Sequence, residues 1–165
     1  MIPPIVVMGV SGCGKSTLAE ALARRLAGRF VEGDDCHPPA NVAKMAAGIP
    51  LDDQDRRPFL EAVAAALNVP GAGPAVASCS ALKRAYRDLI RACCGDVVFV
   101  LPSLTRDELL DRLEHRQGHF MPVAMLDSQL ATLEAPGADE GVIVLDGSLP
   151  TQSQVDAVTA ALGVD

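Results

Sequence analysis

A glycine-rich stretch near the N-terminus, GVSGCGKST, contains one lysine that is followed by two hydroxyl side chains. It satisfies the spacing G-x-x-x-x-G-K-S and follows the apolar run IVVM, which is the strand–loop–helix context that this motif requires. Glycines let the backbone curl so that successive N–H groups face phosphate oxygens, and the next helix adds the positive end of its dipole. We therefore predict a nucleotide-binding loop whose contacts come from Gly9, Ser11, Gly12, Cys13, Gly14, Lys15, Ser16 and Thr17.

The lysine and the hydroxyl groups of this loop have separate expected roles. Lys15 is expected to contact the β- and γ-phosphates, and the Ser16 hydroxyl is expected to bind Mg²⁺, with Thr17 as a second candidate. We predict that a purine nucleoside triphosphate binds here with Mg²⁺. The alternative, an incidental glycine-rich turn, is disfavoured because both the motif and its context are met. The loop by itself does not identify the acceptor of the γ-phosphate.

Two classes of nucleotide-binding protein are disfavoured by missing motifs. The guanine signature N-K-x-D does not occur in the chain, and no D-x-x-G element follows the third predicted strand, where AVASCSALK stands. A motor-type ATPase would carry an acidic residue at the end of that strand, and Cys79 and Ser80 occupy this place. A small-molecule kinase fits better, since it needs only a nucleotide site, a second pocket and a closing lid.

Two adjacent carboxylates follow the second predicted strand. Asp34 and Asp35 stand at its carboxyl end, where ligands bind in open α/β sheets. A carboxylate there can orient an acceptor hydroxyl or remove its proton. The alternative is an Asx turn or a helix cap ahead of the two prolines that follow. Glu32, just before them, is a weaker candidate near Mg²⁺.

Three further segments resemble the signature blocks of the gluconate kinase family, which is related to shikimate kinase and adenylate kinase. They are GDDCHPPANVAKMAAGIPLDDQDRRPFL (33–60), CSALKRAYRDLIR (79–91) and RQGHFMPVAMLDSQLATLEAP (116–136). The resemblance implies phosphorylation of the 6-hydroxyl of D-gluconate by ATP with Mg²⁺, and a homodimer. Phe59 and Cys36 depart from the family, which usually has tryptophan and a bulkier apolar residue there, and both are interpreted as packing changes.

The resemblance assigns the acceptor hydroxyl to Asp34, because this position matches the aspartate that serves it in similar kinases. His37 is a candidate to hydrogen-bond a hydroxyl of the sugar acid, although a structural loop histidine is an equal alternative. The remaining alternatives for the whole protein are a kinase of another small hydroxy acid such as shikimate, or a nucleotide-binding regulator without transfer activity.

A sugar acid carries a carboxylate and several hydroxyls, so its pocket requires cations and hydrogen-bonding groups. We predict Arg57, Lys83 and Arg87 as substrate-binding residues, since they follow strand ends and match the family blocks. A solvated charged face is the alternative for each. Arg56 and Arg84 are interpreted as surface residues.

The segment around residues 112–124 is the predicted lid. Gly118 permits a hinge or a tight turn, and Arg116 and His119 could close over the phosphates. Arg116 is our candidate to neutralise charge on the transferred phosphoryl group, with Arg112 second. An ordinary helix-capping arginine is the alternative. The later loop LDGSLP is either a plain turn or, by resemblance, the segment that lies against adenine.

Composition limits the setting in which these residues act. The chain has 165 residues, 49% of them hydrophobic, and a formal net charge of -7, which disfavours broad binding to nucleic acid or anionic membranes. No apolar run approaches the ~20 residues that span a bilayer. The N-terminus lacks the basic region of a signal peptide. Five cysteines without a C-x-x-C pair favour reduced thiols in the cytoplasm.

Strand-like and helix-like segments alternate along the chain, which predicts one α/β domain over residues 1–165. The expected architecture is a P-loop NTPase-type three-layer fold with a five-stranded parallel sheet and helices on both faces; the strand order 2-3-1-4-5 is implied by resemblance. A helix is predicted from Arg57 with Pro58 in its first turn. Capping boxes are predicted at Thr105 with Glu108 and at Thr151 with Gln154.

Overall fold

Five strands and seven α-helices alternate in the computed structural model, which describes residues 1–116 and 122–164. The strands are β1 (Ile5–Val7), β2 (Arg29–Glu32), β3 (Ala75–Ser78), β4 (Val98–Ser103) and β5 (Ile143–Asp146). The helices are α1 (Lys15–Arg25), α2 (Pro39–Ala46), α3 (Asp53–Leu67), α4 (Arg84–Cys94), α5 (Arg106–Glu114), α6 (Val123–Thr132) and α7 (Thr151–Leu162). Short 3₁₀ helices lie at Gly33–Cys36 and Ala138–Glu140. Within the described ranges, no helix combines the length and apolar composition that crossing a bilayer requires.

The strands form one parallel sheet in the order β2-β3-β1-β4-β5, which confirms the predicted order. The central strand β1 pairs on both sides, and its Val6 lies opposite Ala77 of β3 and Phe99 of β4. The connection after β1 leads to β2 at one edge of the sheet, whereas the connection after β4 leads to β5 at the other edge. In such a sheet the ligand crevice lies beyond the carboxyl ends of the strands, which is where the glycine-rich loop begins.

Both faces of the sheet are buried, because alternate side chains of a strand point to opposite faces and each face meets a pair of helices. Val6 and Phe99 pack with α3 and α4, whereas Val7 and Val100 pack with α1 and α7. This double burial explains why the strands read as continuous apolar runs and not as alternating patterns.

A third apolar cluster joins helices α5 and α6 to the glycine-rich loop. Val10 of the loop packs with Leu109 of α5 and with Leu126 of α6, which is completely buried. Helices α5 and α6, which include the two ends of the predicted lid segment, therefore pack against the glycine-rich loop.

One of the two predicted capping boxes is confirmed. Glu108 N donates to Thr105 Oγ1 at 3.2 Å, and Thr105 N donates to Glu108 Oε2 at 2.8 Å. The predicted box of Thr151 and Gln154 is wrong, since α7 follows Pro150 and no side chain of the described residues caps it. The Gln154 amide instead donates to two carbonyls of the preceding loop.

Helix α3 begins earlier than predicted. Asp52 and Asp55 form a capping box, with Asp55 N bonding Asp52 Oδ1 at 2.7 Å and Asp52 N bonding Asp55 Oδ2 at 3.0 Å. The helix therefore starts at Asp53, and Pro58 lies inside it and not in its first turn. The reciprocal cap provides the earlier start, and Pro58 has no N–H to donate to the carbonyl four residues before it.

Candidate active site

The glycine-rich loop forms an uncapped helix N-terminus that faces a cavity. Gly12 and Gly14 have φ angles of 87° and 88°, a region that other residues rarely adopt. Helix α1 begins directly afterwards at Lys15, with no side-chain cap from the described residues and no acidic residue in its first turn. The free N–H groups and the positive end of the helix dipole suit phosphate oxygens, so the loop fits the triphosphate of a nucleotide.

A cavity of about 230 Å³ joins this loop to the end of β2. The predicted residues that line it are Ser11, Gly12, Gly14, Lys15, Ser16, Thr17, Asp34 and Arg116. Lys15 Nζ donates to the Val10 carbonyl at 3.0 Å, which holds the lysine along the loop. Two predicted loop residues do not line this cavity. Gly9 N donates to the Ser80 carbonyl, and Cys13, a buried residue whose thiol pKa is raised by burial, lines a second cavity.

The end of β2 is locked to β3 in a way that directs Asp34 into the cavity. Ser78 Oγ donates to Glu32 Oε1 at 2.6 Å and accepts from Gly33 N at 3.2 Å. A Cβ at Gly33 would lie 1.9 Å from the Ser78 carbonyl oxygen, so only glycine permits this approach. The 3₁₀ turn that follows exposes Asp34 on the cavity wall, and Asp35, also exposed, does not line it.

His37 lies near Asp34 and is held in one orientation by two contacts. Its ring stacks on Phe59 with centroids 3.8 Å apart and an interplanar angle of 11°. Asn41 Nδ2, which donates to the Asp55 carbonyl at 2.8 Å, lies 3.3 Å from His37 Nδ1. An amide nitrogen only donates, so Nδ1 accepts and Nε2 carries the proton of the neutral ring. Burial is the main cause that lowers the pKa of His37, while the charge of Asp34 opposes it.

Next to His37, the Tyr86 cluster (Asp53, Arg56, Lys83 and Tyr86) brings two cations together. Lys83 Nζ donates to Asp53 at 3.0 Å, and Arg56 donates to the Tyr86 hydroxyl at 3.1 Å. The Lys83 nitrogen and the Arg56 guanidinium carbon each lie 5.6 Å from the Tyr86 ring centroid. The charge of Arg56 also contributes to the lowered pKa of His37.

Arg57, the neighbouring arginine that the sequence singled out, is exposed and pairs with Glu61 of the same helix at 3.0 Å. Its side chain does not join the Tyr86 cluster. The interpretation of Arg56 as a surface residue is corrected, since this arginine is half-buried beside Tyr86.

The prediction that Arg87 binds the substrate is wrong because its guanidinium is completely buried. It pairs with Glu140 at 2.8 Å and donates to the carbonyls of Ala81, Leu82 and Glu134. Arg87 therefore ties the loop after β3 to the end of α6, which is a structural role.

Arg112 lies between the phosphate cavity and a second cavity of about 370 Å³. Its Nη2 donates to the Gly147 carbonyl at 2.7 Å, and its Nη1 is 3.5 Å from the place of a Cβ on Gly14. The second cavity is lined by the loop that enters α7 and by Gln154, whose buried Oε1 lacks a partner among residues 1–116 and 122–164. The position of this cavity beside the phosphate loop suits the base of a nucleotide.

The predicted lid is described only in part. Arg116 is exposed just after α5 and lines the phosphate cavity. His119 lies outside the described residues. Sequence reasoning did not single out Gln129 of α6, which contacts Ser11, although this residue lies within the quoted block 116–136.

The fold and the site define a P-loop kinase of small molecules, and comparison with known proteins narrows this class. A family model described as an AAA domain matches residues 5–136. Gluconokinase of Gluconobacter oxydans is 52% identical over 145 residues, which cover 87% of this chain and 82% of that protein. Thermoresistant gluconokinase of Escherichia coli is 42% identical over 153 residues, with coverage of 91% and 87%.

Solved structures agree with these relatives. A gluconokinase from Sinorhizobium meliloti superimposes with a TM-score of 0.88 at 44% identity, covering 98% of this chain and 91% of the other. Shikimate kinase from Aquifex aeolicus, at 13% identity and a TM-score of 0.65 with 98% and 96% coverage, shares the fold. The chain belongs to the gluconokinase family.

Proposed function

We propose that this protein transfers the γ-phosphoryl group of ATP to the 6-hydroxyl of D-gluconate. The observation that carries the proposal is the single cavity in which Lys15 and the start of α1 face Asp34, in a chain of the gluconokinase family. Phosphate-binding groups and a carboxylate that line one cavity suit direct in-line transfer, with no covalent enzyme intermediate.

In the proposed step, each residue has a defined role. Asp34 orients the acceptor hydroxyl and accepts its proton as the new O–P bond forms, while the bond from the γ-phosphorus to the β–γ bridging oxygen breaks and ADP leaves. Lys15 and Arg116 stabilise the negative charge on the phosphoryl oxygens, and the N-terminus of α1 adds its dipole. The Ser16 hydroxyl and the Glu32 carboxylate would hold Mg²⁺, which supplies further charge neutralisation on the β- and γ-phosphates when it is bound.

The Tyr86 cluster and His37 are proposed to bind the other end of the acceptor. Arg56, together with Lys83, whose charge is shared with Asp53, supplies positive charge for the gluconate carboxylate, and the Nε2 proton of His37 can be donated to a sugar hydroxyl. Substrate contacts by Arg57 and His119 stay predictions.

The proposal is tested by ADP release from ATP with Mg²⁺ in the presence of D-gluconate, shikimate, glucose or no acceptor. We expect strong release with gluconate alone. In Asp34→Asn, kcat is expected to fall at least about 100-fold while the affinity for ATP is retained. Release with shikimate instead would establish the alternative hydroxy acid, and ATP binding without any acceptor-dependent release would indicate a regulator.

The setting of the enzyme is proposed from its cysteines and from the family resemblance. We propose one kinase domain over residues 1–165 with a lid at about 112–124, acting in the cytoplasm, which the five free thiols support. Resemblance to the family supports a homodimer. Light scattering after size-exclusion chromatography tests the dimer, since a 17.2 kDa chain and its dimer are well separated.

A further inference from the structure

The side chain of Gln129 joins helix α6 to the phosphate-binding loop by two hydrogen bonds to one residue. Its Oε1 accepts from the main-chain N–H of Ser11 at 2.7 Å, and its Nε2 donates to Ser11 Oγ at 3.2 Å. A main-chain N–H can only donate, so the orientation of the amide is unambiguous. Both polar atoms of the Gln129 amide therefore bond Ser11, which is 118 positions away in the sequence.

Ser11 lies at the end of the loop that faces the acceptor. Gly14 and Thr17 line both cavities, whereas Ser11 and Gly12 line only the cavity that contains Asp34. The contact with α6 therefore acts on the part of the loop nearest the transferred phosphoryl group, and not on the part nearest the base.

Helix α6 is anchored independently of this contact. Leu126 is completely buried in the cluster beneath the loop, and Asp127 pairs with Arg106 of α5 at 2.7 Å. The start of α6 also belongs to the predicted lid segment.

We propose that Gln129 is a positioning residue that holds the main-chain N–H and the hydroxyl of Ser11 in place for phosphoryl transfer. The inference rests on the proposed transfer of the γ-phosphoryl group. A neutral amide satisfies the Ser11 N–H without placing negative charge beside the triphosphate, which a carboxylate at this position would do.

The first test is Gln129→Met, which keeps the length of the side chain and removes both hydrogen bonds. Two hydrogen bonds of ordinary net strength correspond to about 30-fold in a rate constant, so kcat is expected to fall by about this factor. Without any acceptor, the affinity for a non-hydrolysable ATP analogue with Mg²⁺ is expected to fall at least threefold more than the affinity for ADP.

The second test is Gln129→Glu, which can keep both contacts because the serine hydroxyl can donate to the second carboxylate oxygen. The added negative charge is expected to lower the affinity for the ATP analogue more than the affinity for ADP, and added salt should reduce the difference between these two losses. The control is Gln152→Met, the same change at an exposed position of α7 where the amide bonds Asp156. We expect wild-type kinetics there.

Wild-type kcat in Gln129→Met, or equal losses of ATP-analogue and ADP affinity, would overturn the proposal. It would also be overturned if the variant only lowered the thermal midpoint while the kinetics of the folded protein stayed normal. If the wild-type enzyme shows no release of ADP with gluconate, the proposed function fails, and the comparison of ATP analogue with ADP still decides the role of Gln129.

Discussion

Replacing Arg87 by methionine is expected to destabilise the fold and not to weaken substrate binding. Arg87 and Glu140 pair at 2.8 Å with side chains that are 0% and 1% exposed. Glu140 also accepts from Arg91 and from the main-chain N–H of Gly137. Removing the arginine leaves a buried carboxylate without its main partner, which costs about 3–5 kcal/mol in comparable buried pairs.

The pKa of Glu140 gives a second measure of these contacts. The hydrogen bond from Arg87 is the main cause that lowers the pKa of Glu140 from 4.5 to about 2, burial opposes it, and the Gly137 N–H and Arg91 add to it, so the lowering measures all of these partners together. At about 1.4 kcal/mol per pKa unit, this lowering corresponds to about 3 kcal/mol. Because the folded-state pKa lies below the unfolded-state pKa, this stability is present above about pH 4.5 and is lost as the pH falls toward 2.

The assay is urea and thermal unfolding followed by circular dichroism at pH 7 and pH 3, since the chain has no tryptophan. We expect Arg87→Met to lower the thermal midpoint at pH 7 by roughly 6–20 °C, and by less at pH 3. The matched control is Arg84→Met on the same helix. Arg84 pairs with Asp139 at an exposed site, so this pair should contribute little to the free energy of unfolding. Adding Glu140→Leu to Arg87→Met should restore much of the stability.

The reasoning is refuted if Arg87→Met unfolds within about 1 kcal/mol of the wild type or no more readily than Arg84→Met. It is also refuted if the variant keeps its stability but raises the KM for gluconate, since that is the behaviour of a residue that binds the substrate.

Three further changes test the acceptor side. Lys83→Met is expected to raise the KM for gluconate at least about tenfold while leaving ATP affinity unchanged, and an unaltered KM would contradict its role. Gly33→Ala should lower the free energy of unfolding by about 3 kcal/mol or more, because its Cβ would lie 1.9 Å from the Ser78 carbonyl oxygen; Gly71→Ala, whose nearest atom is 3.6 Å away, is the control. The pKa of His37 is lowered in the folded state, so the wild type should lose stability relative to His37→Gln as the pH falls below 6.5. The same difference in thermal midpoint between the two proteins at pH 7.5 and at pH 5.5 would exclude this.

Features encoded by neighbouring residues could be predicted from the sequence. The phosphate loop needs only glycines that allow positive φ, followed by a helix start, so Gly12, Gly14 and Lys15 could be assigned directly. The capping box of Thr105 and Glu108 depends on a spacing of three residues and is likewise local. The strand order followed from resemblance to a family and not from the pattern of any single strand.

The tertiary structure alone decided which charged side chains join the Tyr86 cluster and which are buried or exposed elsewhere. Arg56 and Arg57 are adjacent, but successive helical positions point in different directions, and only Arg56 meets Tyr86. Arg84 and Arg87 share helix α4, yet burial of Arg87 depends on Glu140, which is 53 residues away. Such choices depend on partners brought together by the sheet, so residue type and local spacing do not distinguish between them.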